Sequence, residues 1–285
     1  MIQKDLKILK NIFGFDQYKS GQQEIINEVL AGNDVMTVMP TGGGKSLCYQ
    51  LPATMFEGLT IVVSPLIALM QSQIAQLLLL EVKAASLNSS NSESENQNTL
   101  KMLESNELKL LYVAPERLVK KETIDLLKTK KISLLAIDEA HCVSQWGHDF
   151  RKEYLLLGEL RKELSMVQTI ALTATADETT RKDIIDKIFP TKPKVFMEGF
   201  DRPNIYLSML AKDNAKKQIL SFIEPLKGQS GIIYCSTRKK TEEWAAYLVS
   251  NNFNALPYHA GMSIDARKKN LQSFIADEGV VVTAT

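Results

Sequence analysis

Residues 35–55 read VMTVMPTGGGKSLCYQLPATM, and the eight in the middle, Met39-Pro40-Thr41-Gly42-Gly43-Gly44-Lys45-Ser46, decide the fold. An apolar run from Val35 to Met39 enters the glycines, and an amphipathic stretch leaves them at Leu47. That order is strand, tight turn, helix. The backbone N–H groups of such a turn and the helix N-terminus point at an anion, and Gly42, Gly43 and Gly44 let the backbone approach it closely. In a phosphate cradle of this kind, to which Thr41 also belongs, Lys45 reaches β/γ-phosphates and the Ser46 hydroxyl can ligand Mg²⁺. The strict pattern G-x-x-x-x-G-K-[ST] has glycine where this chain has Met39.

The remaining composition sets bounds. A chain of 285 residues, 45% of them hydrophobic, can bury a sizeable core in one large or two ordinary domains. No apolar run reaches the roughly 18 residues that cross a bilayer, and MIQKDLKILK at the N-terminus lacks the apolar core of a signal peptide, so no membrane partner is expected and a cytoplasmic location is the default. The three cysteines, Cys48, Cys142 and Cys235, are widely spaced, so neither a disulfide framework nor a zinc site can be read from them. A net charge of +1 says nothing for or against nucleic acid.

Upstream, Ile2, Leu6, Leu9 and Phe13 recur at helical spacing, and a second helical pattern runs from Gln22 to Leu30. Downstream, short apolar runs at 60–64, 109–114, 132–138 and 167–173 alternate with helical stretches, the signature of a parallel sheet with helices on both faces. Residues 86–98, SLNSSNSESENQN, read as a solvated loop. Near GFDRPN, Pro203 denies a helix, which puts the domain boundary there: 1–199, a linker at 200–204, and 205–285. After it the alternation restarts with expected strands at 204–210, 231–236, 255–260 and 279–285. The last has no covering helix, so the second domain is expected to be cut short.

The strand ISLLAID delivers Asp138-Glu139-Ala140-His141 to the carboxyl edge of the sheet. Asp138 suits a Mg²⁺ ligand, and Glu139 suits a general base polarising an attacking water. A few residues on, SQWGHDFR (144–151) carries Trp146, His148, Phe150 and Arg151: aromatic faces for unpaired bases and a cation for phosphate. Ser64-Pro65-Leu66 and Ala114-Pro115-Glu116-Arg117 each open a helix after a strand. They read either as phosphate contacts or as plain capping.

Together MPTGGGKS, DEAH and the two α/β units resemble the superfamily 2 helicases, motors with two RecA-like domains that use ATP. FGFDQYKSGQQEII, VVSPLIALMQSQ, YVAPERL, DEAHCVSQWGHDFR, ALTATA and FDRPN follow the order of the RecQ family's motifs. The resemblance implies a complete first RecA-like domain and an incomplete second one. It also implies ATP and Mg²⁺ as ligands, single-stranded DNA and duplex junctions as partners, and 3′ to 5′ unwinding in repair and recombination. By it, Phe15 stacks on adenine and Gln22 bonds its edge, with Lys19 where the family usually has arginine. Lys45, Asp138, Glu139 and His141 are catalytic, and Thr173 and Thr175 relay nucleotide state. Ser64, Pro65, Arg117, Trp146, His148, Phe150, Arg151, Arg238 and His259 face DNA, and Lys152 stands where the aromatic loop commonly continues with proline. The family's sixth motif, with its arginine finger, lies past Val281–Thr285, so weak hydrolysis is expected of this polypeptide alone. An RNA helicase and a nonhydrolysing DNA-binding fragment are the rival readings.

Overall fold

The computed structural model describes residues 2–118, 120–146, 149, 151–199 and 204–285. The expected linker, apart from Asn204, and two expected site residues, His148 and Phe150, lie outside the described residues. The chain forms two compact units that meet in sequence at Asn204.

The first unit is a seven-stranded sheet in the order β3-β4-β2-β5-β6-β1-β7, every pairing parallel. Its strands are β1 (Val35–Val38), β2 (Leu59–Val63), β3 (Ala84–Leu87), β4 (Leu110–Val113), β5 (Ile132–Ile137), β6 (Thr169–Thr173) and β7 (Lys194–Met197). Between them run α1 (Ile2–Asn11), α2 (Gln22–Leu30), α3 (Leu47–Met55), α4 (Ile67–Leu79), α5 (Glu93–Glu104), α6 (Pro115–Leu118), α7 (Lys121–Lys128), α8 (Leu157–Glu163) and α9 (Glu178–Ile188).

Successive side chains of a strand point to opposite faces, so a strand covered on both faces must be apolar throughout. β5 illustrates the rule. Leu135 and Ile137 join Val63, Val113 and the inner faces of α5, α7, α8 and α9, while Leu134 and Ala136 join Val62, Tyr112 and the inner faces of α1 to α4. The α/β sandwich with helices on both faces is therefore as the apolar runs imply.

The second unit is a three-stranded parallel sheet, β8 (Gly231–Tyr234), β9 (Asn254–Tyr258) and β10 (Val280–Ala284), in the order β8-β10-β9. It carries α10 (Ala215–Ile223), α11 (Arg238–Ser250) and α12 (Ile264–Ala276). The central strand β10 is buried along its length, with Val281 packing on Leu248 and Phe253.

Two local expectations need correction. Residues 86–98 are not one loop: 86–87 finish β3, 88–92 form a turn, and 93–98 open α5. Ser92 caps that helix in a reciprocal box, its Oγ accepting from the Glu95 N–H at 3.2 Å while the Glu95 carboxylate accepts from the Ser92 N–H at 2.6 Å. Only Thr99 and Leu103 of α5 are buried, so apolar periodicity was too sparse to show the helix, whereas Ser-x-x-Glu was legible. The run at 204–210 is not a strand: Tyr206 is 90% exposed and Met209 97%, and it pairs with no strand among the described residues. Apolar β-formers without a partner do not make a strand. Conversely β7 pairs with β1 although its short KVFM run gave no clear signal.

The capping box yields a stability test. Ser92→Ala is expected to lower unfolding free energy by about 1 kcal/mol in urea titration, the usual worth of an N-cap. A midpoint equal to the parent's would mean that the box does not hold α5.

Candidate active site

Because all seven strands run parallel, their C-terminal ends share one edge, and the ends of β2, β5, β6 and β1 lie there side by side. They carry Ser64, Asp138, Thr173 and the glycine turn respectively.

The turn needs each of its glycines. Gly42 and Gly44 take left-handed backbone, φ +82 and +81, and a Cβ on Gly43 would lie 2.9 Å from the Pro40 carbonyl. Met39 needs no such freedom. It continues the strand, its N–H donating to the Thr173 carbonyl at 3.0 Å, and its side chain is buried beside Cys48. The departure from the glycine pattern at position 39 is thus structurally neutral. Lys45 Nζ donates to the Met39 and Pro40 carbonyls at 3.2 and 3.4 Å, which holds the ammonium across the turn. Thr41 sits at its exposed crest.

Gln22, the first residue of α2, and Lys19, just ahead of it, clamp this turn. The Gln22 amide donates to the Gly44 carbonyl at 3.0 Å and accepts from the Lys19 N–H at 2.8 Å; Lys19 Nζ donates to the Gly42 carbonyl at 2.9 Å. Beside them opens a cavity of about 780 Å³ lined in part by Phe13, Phe15, Tyr18, Lys19, Gln22 and Ser46. Phe15, half exposed, presents a free aromatic face there. Lysine in the place of arginine keeps one donor to the turn and loses the planar fork.

Across the edge, Asp138 is buried, its N–H on the Val63 carbonyl at 2.9 Å, its Oδ1 accepting from the Glu139 N–H at 3.0 Å. Burial first, and the neighbouring Glu139 carboxylate second, push its carboxyl up to about 6, against weaker opposing pulls from the Glu139 N–H, then Lys45 and His141. Glu139 takes a left-handed backbone, φ 48, which turns its carboxylate back to 3.2 Å from His141 Nδ1. The same nitrogen lies 3.0 Å from Thr173 Oγ1, and that hydroxyl lies 3.1 Å from the Thr175 carbonyl. Glu139, His141, Thr173 and Thr175 are therefore one connected chain of polar groups. The turn and the acidic pair stand at one strand edge, with β6 alone between their strands. Ser46 and Asp138, both hard oxygen donors, fit Mg²⁺.

The expected nucleic-acid residues divide. Trp146 is 75% exposed, its N–H tied to Ser144 Oγ at 3.2 Å, and the loop closes where the Arg151 N–H meets the Cys142 carbonyl at 3.0 Å. The Arg151 guanidinium donates to the Pro65 carbonyl at 3.2 Å and to Asp149 at 3.1 Å, so it binds the loop to the segment after β2. Plain capping does not describe Ser64. The N-cap of α4 is Leu66, without a side-chain bond, and Ser64 Oγ is buried with no hydrogen-bond partner among the described residues. Arg117, on the single turn α6, is partly buried, with no partner for its Nε among the described residues. In the second unit Arg238 opens α11 exposed. His259 instead is buried, Nε2 facing Glu242 at 3.2 Å and Nδ1 accepting from the Gly261 N–H at 3.2 Å. It braces its loop and does not project. One side chain at the site escaped the sequence reading: Gln73, whose Nε2 donates to Ser46 Oγ at 3.1 Å. Its only signal was its place in VVSPLIALMQSQ, seven residues into a helix.

Comparison with known proteins narrows the chemistry. Residues 19–184 match the DEAD/DEAH box helicase family. The ATP-dependent DNA helicase RecQ of Pasteurella multocida is 45% identical over 99% of this chain and 45% of its own length. That of Bacillus subtilis is 40% identical over 100% of this chain and 49% of its own. The chain thus spans about half the length of these curated relatives. Among solved structures, Mycobacterium smegmatis helicase Lhr bound to ssDNA and AMP-PNP matches 95% of this chain and 40% of its own, with TM-score 0.70 and 17% identity. DEAD-box helicase Mss116 bound to ssRNA and UDP-BeF matches 99% of this chain and 63% of its own, with TM-score 0.72 and 18% identity. At those identities the likeness concerns the fold alone.

The perturbed carboxyl carries a test. The folded chain holds the Asp138 proton more tightly than the unfolded chain, so this group's contribution to stability falls as pH rises from the ordinary carboxylate range through about 6. Asp138→Asn is expected to raise unfolding free energy at pH 8 by on the order of 1–3 kcal/mol and to change it little at pH 4. Chemical denaturation at the two pH values reads the difference.

Proposed function

The chain belongs to the DEAD/DEAH box helicase family, and from that premise we propose that it carries the motor of a RecQ-type ATP-dependent DNA helicase, moving 3′ to 5′ on single-stranded DNA in repair and recombination. The observation that supports it most is the shared strand edge, on which the phosphate turn, the Asp138–Glu139 pair and the loop of Trp146 stand together.

Each residue has a task in this reading. Phe15 stacks on the adenine in the cavity, and Gln22 Oε1, which spends one lone pair on the Lys19 N–H, keeps the other for the base's exocyclic amine. The N–H groups around Gly42, Gly43 and Gly44 take the phosphates, and Lys45 leaves the turn's carbonyls for the β/γ oxygens. Ser46 and Asp138 hold Mg²⁺, which when bound neutralises charge on those oxygens. Glu139 polarises the attacking water, and a change there reaches Thr173 and Thr175 through His141. Trp146, with Phe150 and His148, takes unpaired bases. Ser64, Pro65, Arg117 and Arg238 serve the backbone; Arg151 and His259 hold loops in place for it. The first motor domain covers 1–199 and the second begins at 205, after a linker at 200–204.

An RNA helicase is the rival that the fold leaves open, since neighbours bound to ssDNA and to ssRNA match equally well. The SQWGHDFR loop and the identity to DNA helicases favour DNA. The test is ATP hydrolysis by this chain, and by a form extended at its C-terminus to the length of its relatives, with and without oligonucleotide. Single-stranded DNA is expected to accelerate the extended form at least about tenfold and RNA to leave it near basal. Glu139→Gln should cost roughly 10²–10⁴ in rate while nucleotide still binds. Turnover indifferent to DNA would refute the motor.

A further inference from the structure

Gln73 lies on α4 with 8% of its surface exposed, between a fully buried tyrosine and the Mg²⁺-side hydroxyl of the phosphate turn. Tyr49 OH donates to Gln73 Oε1 at 2.7 Å, and Gln73 Nε2 donates to Ser46 Oγ at 3.1 Å. The amide thus lies with its oxygen on the tyrosine hydroxyl and its N–H₂ end on Ser46, the arrangement that gives each contact a donor and an acceptor. A serine hydroxyl has two lone pairs and one hydrogen. With one lone pair taken by Gln73, the other is left for a metal ion and the hydrogen for a phosphate or carboxylate oxygen. Without Gln73 the hydroxyl loses this donor and keeps Tyr49 as its side-chain neighbour.

The helix that carries Gln73 begins directly after Ser64-Pro65. The Pro65 carbonyl receives the Arg151 guanidinium of the aromatic loop, and α4 then runs about 10 Å from Leu66 to Gln73 at 1.5 Å per residue. A helix moves as a rod over that distance. We propose that Gln73 is a positioning residue that sets the Ser46 hydroxyl for Mg²⁺, and that α4 thereby connects the loop of Trp146 and Arg151 to the metal side of the nucleotide site. The inference rests on the reading of Ser46 as a Mg²⁺ ligand. It assigns to the helix after Ser64-Pro65 an inward role besides any contact with nucleic acid.

The test is a Mg²⁺ titration of this chain with a fluorescent ATP analogue, alongside binding in excess EDTA. Gln73→Met keeps length and flexibility but removes the donor. It is expected to raise the Mg²⁺ concentration at half-saturation about tenfold, the lower end for a lost partner of a metal ligand, and to leave EDTA affinity within about twofold. Tyr49→Phe leaves the amide in place but lets it flip, so a smaller rise in the same direction is expected. An unchanged Mg²⁺ midpoint in Gln73→Met, or an equal loss of affinity with and without Mg²⁺, would overturn the proposal. Ser46→Ala separates the two readings. If it shifts the midpoint and Gln73→Met does not, Gln73 alone is misassigned; if it shifts nothing, the Mg²⁺ role of Ser46 has failed and the proposal falls with it.

Discussion

Ladder hydrogen bonds that continue one residue past the strands hold this molecule's chemistry in register. The Met39 N–H reaches the Thr173 carbonyl, the Asp138 N–H the Val63 carbonyl, and the Ser64 N–H the Val113 carbonyl, at 3.0, 2.9 and 3.3 Å. Each loop thus leaves the sheet from a backbone position already fixed by its neighbour. The phosphate turn, the acidic pair and the segment after β2 have their spacing set by the strand repeat, which a rigid two-sided core holds in place. A catalytic site needs that precision, because misplacement of about 1 Å costs large factors in rate.

The same edge carries the molecule's local costs. Asp138 is a carboxylate taken out of water beside a second one, and Glu139 adopts a left-handed backbone that a non-glycine residue pays for with roughly 1–2 kcal/mol. Neither helps the fold. Both make sense where a cation and a phosphate are to be received, since a desolvated carboxylate and a carboxylate aimed by an unusual backbone are what such chemistry needs. His141 ties them to the adjacent strand, β6.

Much of this was legible in residues 35–55 and 132–141. Glycines, lysine and serine after an apolar strand, and paired carboxylates after another, mean the same chemistry in any parallel sheet, because the backbone geometry they require is local. The errors came where local pattern was weak or where pattern needed a partner. α5 is polar almost all round, so its cap was a better signal than its periodicity, and the run at 204–210 has strand-like composition but no strand beside it. His259 is a different case: a histidine in a loop reads as a DNA contact or as a packed residue, and Glu242 and Gly261 facing its two nitrogens favour the second.

By itself, the order of residues determined the fold class, the phosphate turn and the identity of the acidic pair, since those depend on apolar alternation and on backbone freedom within a few positions. Only the tertiary structure decided which strand ends are neighbours. It inserted β6 between β5 and β1, so that Thr173 meets His141 and Met39, and it brought Gln73 across from α4 to Ser46. The reason is physical. Strand order and helix docking are set by burial of two whole faces of a sheet at once, a sum over contacts far apart in the chain that no short stretch of it encodes.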